Sequence, residues 1–177
     1  MFDCRDDDPD YVALVIGNYI LGGGTLSSRL GNRIRQQDGL SYGVSSSVNA
    51  SAQDRRGSLM ITAICNPQNM SHLAQDVQEE LERLLREGFT KDEVEKAKQG
   101  YLKAQKVGRS SDAALAGVLT NLRHLDRTMA FEGEMDKKIE ALTPEQVGAA
   151  MKKFVDPKKL VIVQAGDFET KPASVVQ

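Results

Sequence analysis

The stretch YILGGGTLSSRLGNRIRQQDGLSYGVSSS, residues 19–47, decides how the rest of the chain folds. It begins with the end of an apolar helix, which is interrupted by three consecutive glycines at 22–24. Glycine readily takes the left-handed conformation that closes a helix. A second helix is predicted to begin within Thr25–Ser28, and a turn at Asp38-Gly39 leads into an alternating strand. The pattern therefore predicts two helices that meet at a tight corner, followed by a turn that folds the chain back.

Two residues of this stretch are candidates for chemistry. Arg35 lies near the end of the second predicted helix, and Tyr42 lies at the start of the strand. Because the turn folds the chain back, both side chains can point into one space. A cation and a phenolic donor that converge on a developing oxyanion are the arrangement that electrostatic catalysis uses. Spacing alone favours a surface arginine and a sheet-edge tyrosine, so the catalytic role is a hypothesis.

The remainder of the chain indicates an α+β fold. Residues 41–50 and 57–66 alternate and form a predicted antiparallel hairpin, while residues 11–21 form a mostly apolar helix. Further helices are predicted between residues 66 and 159, where apolar positions repeat at helical spacing. Residues 159–165 form the most apolar predicted strand, which should be central. We therefore expect a mainly antiparallel sheet with helices packed on one face.

Three predicted strands are few for a sheet of this kind, which usually has about four to six. The polar start at Phe2–Asp8 resembles the exit from a strand that the sequence does not contain. We therefore expect that residues 1–170 are one domain, a fragment of a longer chain that lacks its first strand, and that residues 171–177 are a tail. The missing strand would leave an exposed sheet edge, through which the protein could form a homo-oligomer.

Composition excludes several classes of partner. The net charge of −2 argues against a nucleic-acid-binding surface, which needs a clustered basic excess. No apolar run approaches the roughly 18 residues that a membrane span requires. We therefore expect a soluble protein, cytoplasmic or periplasmic if bacterial. The two cysteines, Cys4 and Cys65, lie far apart in the sequence and are predicted to be free thiols.

The sequence contains no familiar catalytic or metal-binding motif. The two histidines, His72 and His124, have no further ligands at metal-binding spacing, whereas zinc needs three or four. No metal site or other cofactor is therefore predicted in this chain. The glycines at 22–24 suggest a cradle for an anion, but they follow a helix rather than a strand. A small-ligand or anion-binding module remains an alternative that a phosphate titration would test.

The segment ILGGGTLSSRLGNRIRQQDGLSYGVSSS resembles the second half of the pitrilysin family of zinc peptidases, also called inverzincins. This family includes insulysin and the mitochondrial processing peptidase. The most specific motif is an arginine, six residues and a tyrosine, which here reads Arg35-QQDGLS-Tyr42 and is followed by Gly43. The resemblance runs from about Asp7 to Asp167 and so covers most of the chain.

The resemblance implies that the catalytic groups are divided between two halves of the protein. In such proteins the zinc motif H-x-x-E-H lies in the N-terminal half, and the arginine and tyrosine face it across an enclosed chamber. Arg35 and Tyr42 would then bind the carbonyl oxygen of a peptide substrate and stabilise the tetrahedral intermediate. Zinc would belong to a partner, which is an H-x-x-E-H-bearing domain or subunit of the same family.

These expectations lead to two hypotheses about function. The first is a substrate-binding, oxyanion-stabilising C-terminal domain of a zinc metallopeptidase that is inactive alone. The alternative is a non-catalytic scaffold subunit that is descended from a peptidase. The presence of both Arg35 and Tyr42 argues against the scaffold, because assembly alone has no chemical use for the pair. Whether the chain contributes to an active enzyme stays open at this level.

Overall fold

Helices make up most of the protein in the computed structural model, which describes residues 1–24 and 27–166. The α-helices are α1 (Tyr11–Asn18), α2 (Met70–Glu87), α3 (Lys91–Gly108), α4 (Asp112–His124), α5 (Met129–Glu140) and α6 (Pro144–Phe154). Two wider π-helical segments occupy Tyr19–Gly23, directly after α1, and Gly31–Gln37. Short 3₁₀ turns lie at Pro67–Asn69 and Pro157–Lys159. None of the helices in the described part of the chain combines the length and apolarity needed to cross a bilayer.

Capping residues fix where several helices begin. The Thr90 hydroxyl accepts a hydrogen bond from the Glu93 backbone N–H at 3.2 Å, and the Glu93 carboxylate accepts one from the Thr90 N–H at 2.8 Å. Thr143 and Gln146 form the same reciprocal pair at the start of α6, which begins with Pro144. These side chains satisfy backbone donors that the first helical turn leaves unpaired. The helix starts are therefore local properties of the sequence.

The sheet consists of one antiparallel hairpin in the described residues. Strand β1 spans Gly43–Ala50 and β2 spans Gly57–Ile64, and every residue of one strand is opposite a residue of the other. The hairpin predicted for 41–50 and 57–66 is therefore confirmed. One face of β2 is half-buried, and its side chains pack against the helical core. The result is the α+β architecture that was predicted.

The core forms around α1, whose side chains are buried on most sides. Its buried residues pack with side chains from α2, α3 and α6 in one cluster that includes Leu14, Ile16, Leu81, Val94, Val147 and Met151. Helix α6 approaches α1 closely at Gly17, where an added Cβ would lie 2.7 Å from the Met151 side chain. Such a short distance explains why a glycine is found in the middle of this helix.

The prediction of a third, central strand is wrong. Residues 160–165 pair with no strand in the described chain, and Val161 and Val163 are 88% and 85% exposed. Apolar β-branched residues favour a strand, but a strand forms only where a neighbouring backbone completes its hydrogen bonds. Among residues 1–24 and 27–166 no strand lies beside this segment, and a groove separates it from β2.

The N-terminal residues supply isolated bridges rather than a strand. The Phe2 N–H donates to the Gly57 carbonyl at 2.9 Å, and the Gly57 N–H donates back to the Phe2 carbonyl at 2.8 Å. A second bridge joins Arg5 and Ser51. The expectation of a first strand outside this sequence therefore stays a hypothesis. Thr25 and the predicted tail, residues 171–177, lie outside the described residues.

Candidate functional site

The glycine corner, which is formed by residues 22–24 at the end of the first helical stretch, lies directly against the middle of β1. An added Cβ on Gly22 would lie 2.8 Å from the Ser46 hydroxyl oxygen and 3.0 Å from the Ser46 backbone nitrogen. A Cβ on Gly23 would collide with the side-chain amide of Asn18. Since no side chain fits at either position, the glycines allow the helix end and the strand to approach each other. They act here through close packing.

Two buried polar residues fasten the corner to the strand. The side-chain amide of Asn18 donates to the Ser46 carbonyl at 3.4 Å, and the Ser46 hydroxyl donates to the Asn18 carbonyl at 3.4 Å. Asn18 is 8% exposed and Ser46 is 6% exposed. Because buried polar groups need partners, this reciprocal contact fixes the relative position of helix and strand. Sequence reasoning missed both residues, since neither belongs to a recognisable motif.

The π-helical segments border the same corner. The Gly24 N–H donates to the Tyr19 carbonyl at 3.0 Å, and the Asp38 N–H donates to the Arg33 carbonyl at 3.1 Å. Both bonds span five residues, so each turn is wider than an α-helical one. Single π-turns of this kind often occur at functional sites. The second segment, Gly31–Gln37, carries Arg35.

The other two arginines of this region are engaged in structural ion pairs. Arg29 contacts both carboxylate oxygens of Glu93, at 2.9 and 3.0 Å. Arg33 donates to Asp76 at 3.0 Å and to Glu79 at 3.2 Å. These pairs anchor Arg29 and the π-helical segment Gly31–Gln37 to α3 and α2. Burial raises the pKa of Glu93, but the hydrogen bonds from Arg29 and Thr90 and the positive charge of Arg29 together outweigh burial, so the pKa lies below its ordinary value.

Arg35 differs from its neighbours because its guanidinium is unengaged. Among residues 1–24 and 27–166, no hydrogen bond or ion pair involves this group. The side chain is half-buried and lines a pocket of about 160 Å³. The rest of the lining consists of small or uncharged residues: Gly22, Gly23, Gly24, Ser28, Gly31, Tyr42, Val44, Ser45 and Ser46. No carboxylate of the described chain lines this pocket, so its only charge is positive.

Tyr42 stands on the rim of the same pocket. Its side chain is 94% exposed, and no hydrogen bond of its hydroxyl occurs within the described residues. The backbone on both sides is held in place, because the Ser41 hydroxyl donates to the Ile64 carbonyl at 2.6 Å and accepts from the Gly43 N–H at 3.1 Å. The structure thus places the two predicted site residues at one pocket, with an exposed aromatic on a fixed backbone.

The chemistry that this arrangement allows is binding of an oxygen that carries negative charge. A guanidinium and a phenol are both hydrogen-bond donors, and the guanidinium keeps its charge at any ordinary pH. The pocket has no general base such as a carboxylate or an imidazole among its lining residues in the described chain. Its residues can therefore hold and polarise a carbonyl oxygen, but they do not supply the attacking group.

The described residues do not fit a metal ion. They contain no group of three or more histidine, cysteine or acidic side chains that could bind one. His72 lies 3.7 Å from Asp76, whose carboxylate already accepts from Arg33.

The cysteines do not supply a nucleophile either. Cys4 and Cys65 are both free, as predicted. Cys4 is fully buried, and its burial, together with the nearby Asp8 carboxylate, raises the pKa of its thiol to about 11. Burial also raises the pKa of Cys65. Because the thiolate is the reactive form, these shifts make both residues poor nucleophiles near neutral pH.

Comparison with solved structures supports the fold. The peptidase M16 inactive domain from Pseudomonas fluorescens is 31% identical, with a TM-score of 0.77 over 89% of this chain and 37% of that one. A protease from Helicobacter pylori is 21% identical, with a TM-score of 0.73 over 85% of this chain and 36% of that one. The periplasmic protease PqqL from Escherichia coli is 24% identical, with a TM-score of 0.68 over 87% of this chain and 17% of that one. The chain thus spans little more than a third of the first two structures.

Family comparison gives the same result. No curated protein matches the chain significantly. The family model of the peptidase M16 inactive domain matches residues 2–101, which is more than half of the sequence. The match includes the glycine corner, Arg35 and Tyr42, and it confirms the family that the sequence motif indicated. The chain therefore belongs to the peptidase M16 family, in which it corresponds to the inactive domain.

Proposed function

We propose that this domain supplies the groups that hold the substrate carbonyl in a two-part peptidase. Arg35 donates to the carbonyl oxygen of an unfolded peptide and balances the charge that develops on it, and Tyr42 donates from the rim. The H-x-x-E-H zinc site belongs to a companion domain or subunit. The observation that carries this proposal is that Arg35 is unpaired in the described chain, in a pocket without carboxylates, while Arg29 and Arg33 are paired.

The proposal is tested by peptide cleavage with the complete assembly that contains this domain and its companion half. We expect Arg35→Ala and Tyr42→Phe each to lower turnover on the order of 10²-fold, because each removes one donor to the oxyanion. Arg123→Ala is the matched control, since the Arg123 side chain is 88% exposed and lies outside the pocket. Turnover of both pocket variants at the control level, with the fold intact, would contradict the proposal.

A scaffold role is the second candidate, because the described residues contain no metal-binding cluster. The two functions separate in one experiment that measures both cleavage and complex formation. A catalytic domain predicts that Arg35→Ala lowers turnover and leaves the affinity between the halves unchanged. A scaffold predicts that no variant affects cleavage, and that only variants at the contact with the companion weaken the complex.

A further inference from the structure

The pocket that Arg35 lines holds a positive charge that no carboxylate of the described chain balances. Six arginines among residues 1–24 and 27–166 are partly buried. Five of them pair with an acidic side chain, namely Arg5 with Asp7, Arg29 with Glu93, Arg33 with Asp76, Arg109 with Asp136 and Arg127 with Asp6. The sixth is Arg35. Because it is costly to shield a charge from water without an opposite charge, this pocket favours a negatively charged ligand.

Ser28 adds a second donor that lacks an acceptor. The residue lines the same pocket and is 7% exposed. Its hydroxyl oxygen accepts from the Gly31 N–H at 3.2 Å, whereas its hydrogen finds no acceptor in the part of the chain that the structure describes. Buried hydroxyl groups normally donate as well as accept. A ligand oxygen in this pocket would therefore satisfy the hydroxyl of Ser28 as well as the charge of Arg35.

The size of the pocket limits the ligand to a small ion. Its volume of about 160 Å³ corresponds to roughly five water molecules, at about 30 Å³ each. The glycines at 22–24 and Gly31 contribute only backbone to its wall. An ion with several oxygens, such as phosphate, fits this space, whereas a nucleotide does not. An arginine can bind two oxygens of such an ion through parallel N–H groups, so the pocket suits a compact oxyanion.

We propose that this pocket is a site for a small oxyanion with the chemistry of inorganic phosphate, which Arg35 and Ser28 bind together. The guanidinium of Arg35 donates to two oxygens of the anion, and the hydroxyl of Ser28 donates to a third. A bound anion occupies the place of the substrate carbonyl, so it regulates the peptidase by competition. Only this competition rests on the proposed function, because binding of the anion requires neither a peptide nor a companion half.

Titration of the chain with inorganic phosphate near neutral pH, followed by NMR, tests the proposal. The probes are the backbone amides of Gly31 and Val44, since both residues line the pocket. At constant ionic strength we expect saturable shifts at both amides. Arg35→Ala should abolish saturation, whereas Arg123→Ala, whose side chain is 88% exposed, should bind phosphate as the wild type does. Absence of saturable shifts in the wild type, or equal binding by Arg35→Ala, overturns the proposal.

Two variants of Ser28 separate its role as a donor to the anion from its role as acceptor of the Gly31 N–H. Ser28→Ala should weaken phosphate binding on the order of tenfold, because a hydrogen bond to a charged group is lost. Ser28→Asp keeps an acceptor for the Gly31 N–H, since aspartate caps helices as well as serine, but it places a carboxylate in the pocket. We expect this variant to unfold in urea as the wild type does and to bind no phosphate. Full phosphate affinity in either folded variant overturns the assignment of Ser28.

Acetate distinguishes a free oxyanion from the carboxylate of a peptide. Phosphate carries more charge and more oxygens than acetate near neutral pH, so we expect it to bind more tightly at equal ionic strength. Acetate that binds at least as tightly as phosphate would identify a peptide carboxylate as the ligand and overturn the proposal. Shifts of equal size with chloride would show only general attraction of anions and would overturn it as well.

The competition is measured on the complete assembly. Phosphate should raise KM for the peptide and leave kcat unchanged, because it occupies the place of the substrate. Ser28→Ala should require on the order of ten times more phosphate for the same effect, which separates this site from binding of phosphate to zinc in the companion half. A fall in kcat at unchanged KM contradicts competition.

The anion site and the proposed function fail separately. Saturable phosphate binding by the wild type, together with full turnover of Arg35→Ala, would contradict the proposed function and support the anion site. Loss of turnover in Arg35→Ala, without phosphate binding by the wild type, would support the proposed function and overturn the anion site.

Discussion

At the residue scale, the position of Arg35 separates it from two arginines of similar sequence context. Arg29 and Arg33 lie on the side of their helix that faces acidic residues of α3 and α2, whereas Arg35 lies at the pocket. In the printed sequence the three are hard to tell apart, because Arg29 binds Glu93, which is 64 residues away, and Arg33 binds Asp76, which is 43 residues away, in addition to the nearby Asp38. Only packing decides which cation remains available to a ligand.

Gly22 is the residue for which close packing makes the clearest prediction. We expect Gly22→Ala to reduce the free energy of unfolding by about 1–3 kcal/mol, because the new methyl group would overlap the Ser46 side chain and backbone. Urea denaturation followed by circular dichroism measures the loss. The matched control is Gly117→Ala in α4, where an added Cβ meets no atom within 4 Å. There we expect a gain of about 0.5–1 kcal/mol, since alanine favours the helix. A neutral Gly22→Ala variant would contradict the close approach.

At the scale of elements, the segment that runs from Arg29 through the π-helical turns at Gly31–Gln37 is held by ion pairs to α3 and α2. Arg29 contacts Glu93 of α3, and Glu93 also closes the capping box of that helix with Thr90. One carboxylate therefore stabilises a helix start and a helix contact. This coupling explains why its pKa lies below its ordinary value of 4.5 although partial burial acts in the opposite direction.

The lowered pKa of Glu93 predicts a dependence of stability on pH. A carboxyl group with a lower pKa in the folded state stabilises the protein fully above its unfolded pKa, near 4.5. This contribution is lost as pH falls from that value through the lower folded pKa. We expect Arg29→Ala to make the decline in unfolding free energy below about pH 4.5 shallower than in the wild type.

Chemical denaturation at a series of pH values tests this expectation. The control is Arg86→Ala, which removes an exposed partner of Glu87 whose side chain is 55% accessible. Exposed pairs contribute little, so its pH profile should parallel the wild type. Parallel profiles for Arg29→Ala as well would show that the ion pair does not link Glu93 to acid stability.

At the scale of the whole molecule, a long-range ion pair joins the N-terminal segment to the later helices. Arg127, just before α5, contacts both carboxylate oxygens of Asp6, at 2.6 and 2.8 Å. Its guanidinium also lies 4.0 Å from the centre of the Phe131 ring. Both charged side chains are less than 20% exposed. The contact closes a loop that contains most of the chain.

Loss of this contact should be costly because it leaves a shielded carboxylate without its partner. We expect Arg127→Ala to reduce the free energy of unfolding by about 2 kcal/mol, as for charged hydrogen bonds that are broken on one side. Arg123→Ala is again the control, because its side chain is 88% exposed. Equilibrium unfolding in urea compares the two. Equal stability of both variants would mean that Asp6 is well solvated without Arg127.

Much of this fold could be predicted from the sequence because its signals are local. The capped starts of α3 at Thr90 and of α6 at Thr143 need only neighbouring residues. The same is true of the hairpin, which the structure confirms. The candidate site was predicted from a motif that spans eight residues, Arg35 to Tyr42. Local signals failed at residues 159–165, where apolar character indicated a strand. A strand depends on a distant backbone that completes its hydrogen bonds, and this dependence is invisible in composition.

The sequence by itself determined the α+β class, the capped starts of α3 and α6, the hairpin and the family. These follow from capping, alternation and the motif around the glycines, which act over short distances along the chain. Within the described residues, the tertiary structure alone decided that Arg35 is unpaired while Arg33 is paired, and that Asn18 and Ser46 bind each other. Each of these depends on which distant surfaces meet, because hydrogen bonds, ion pairs and burial are satisfied across space.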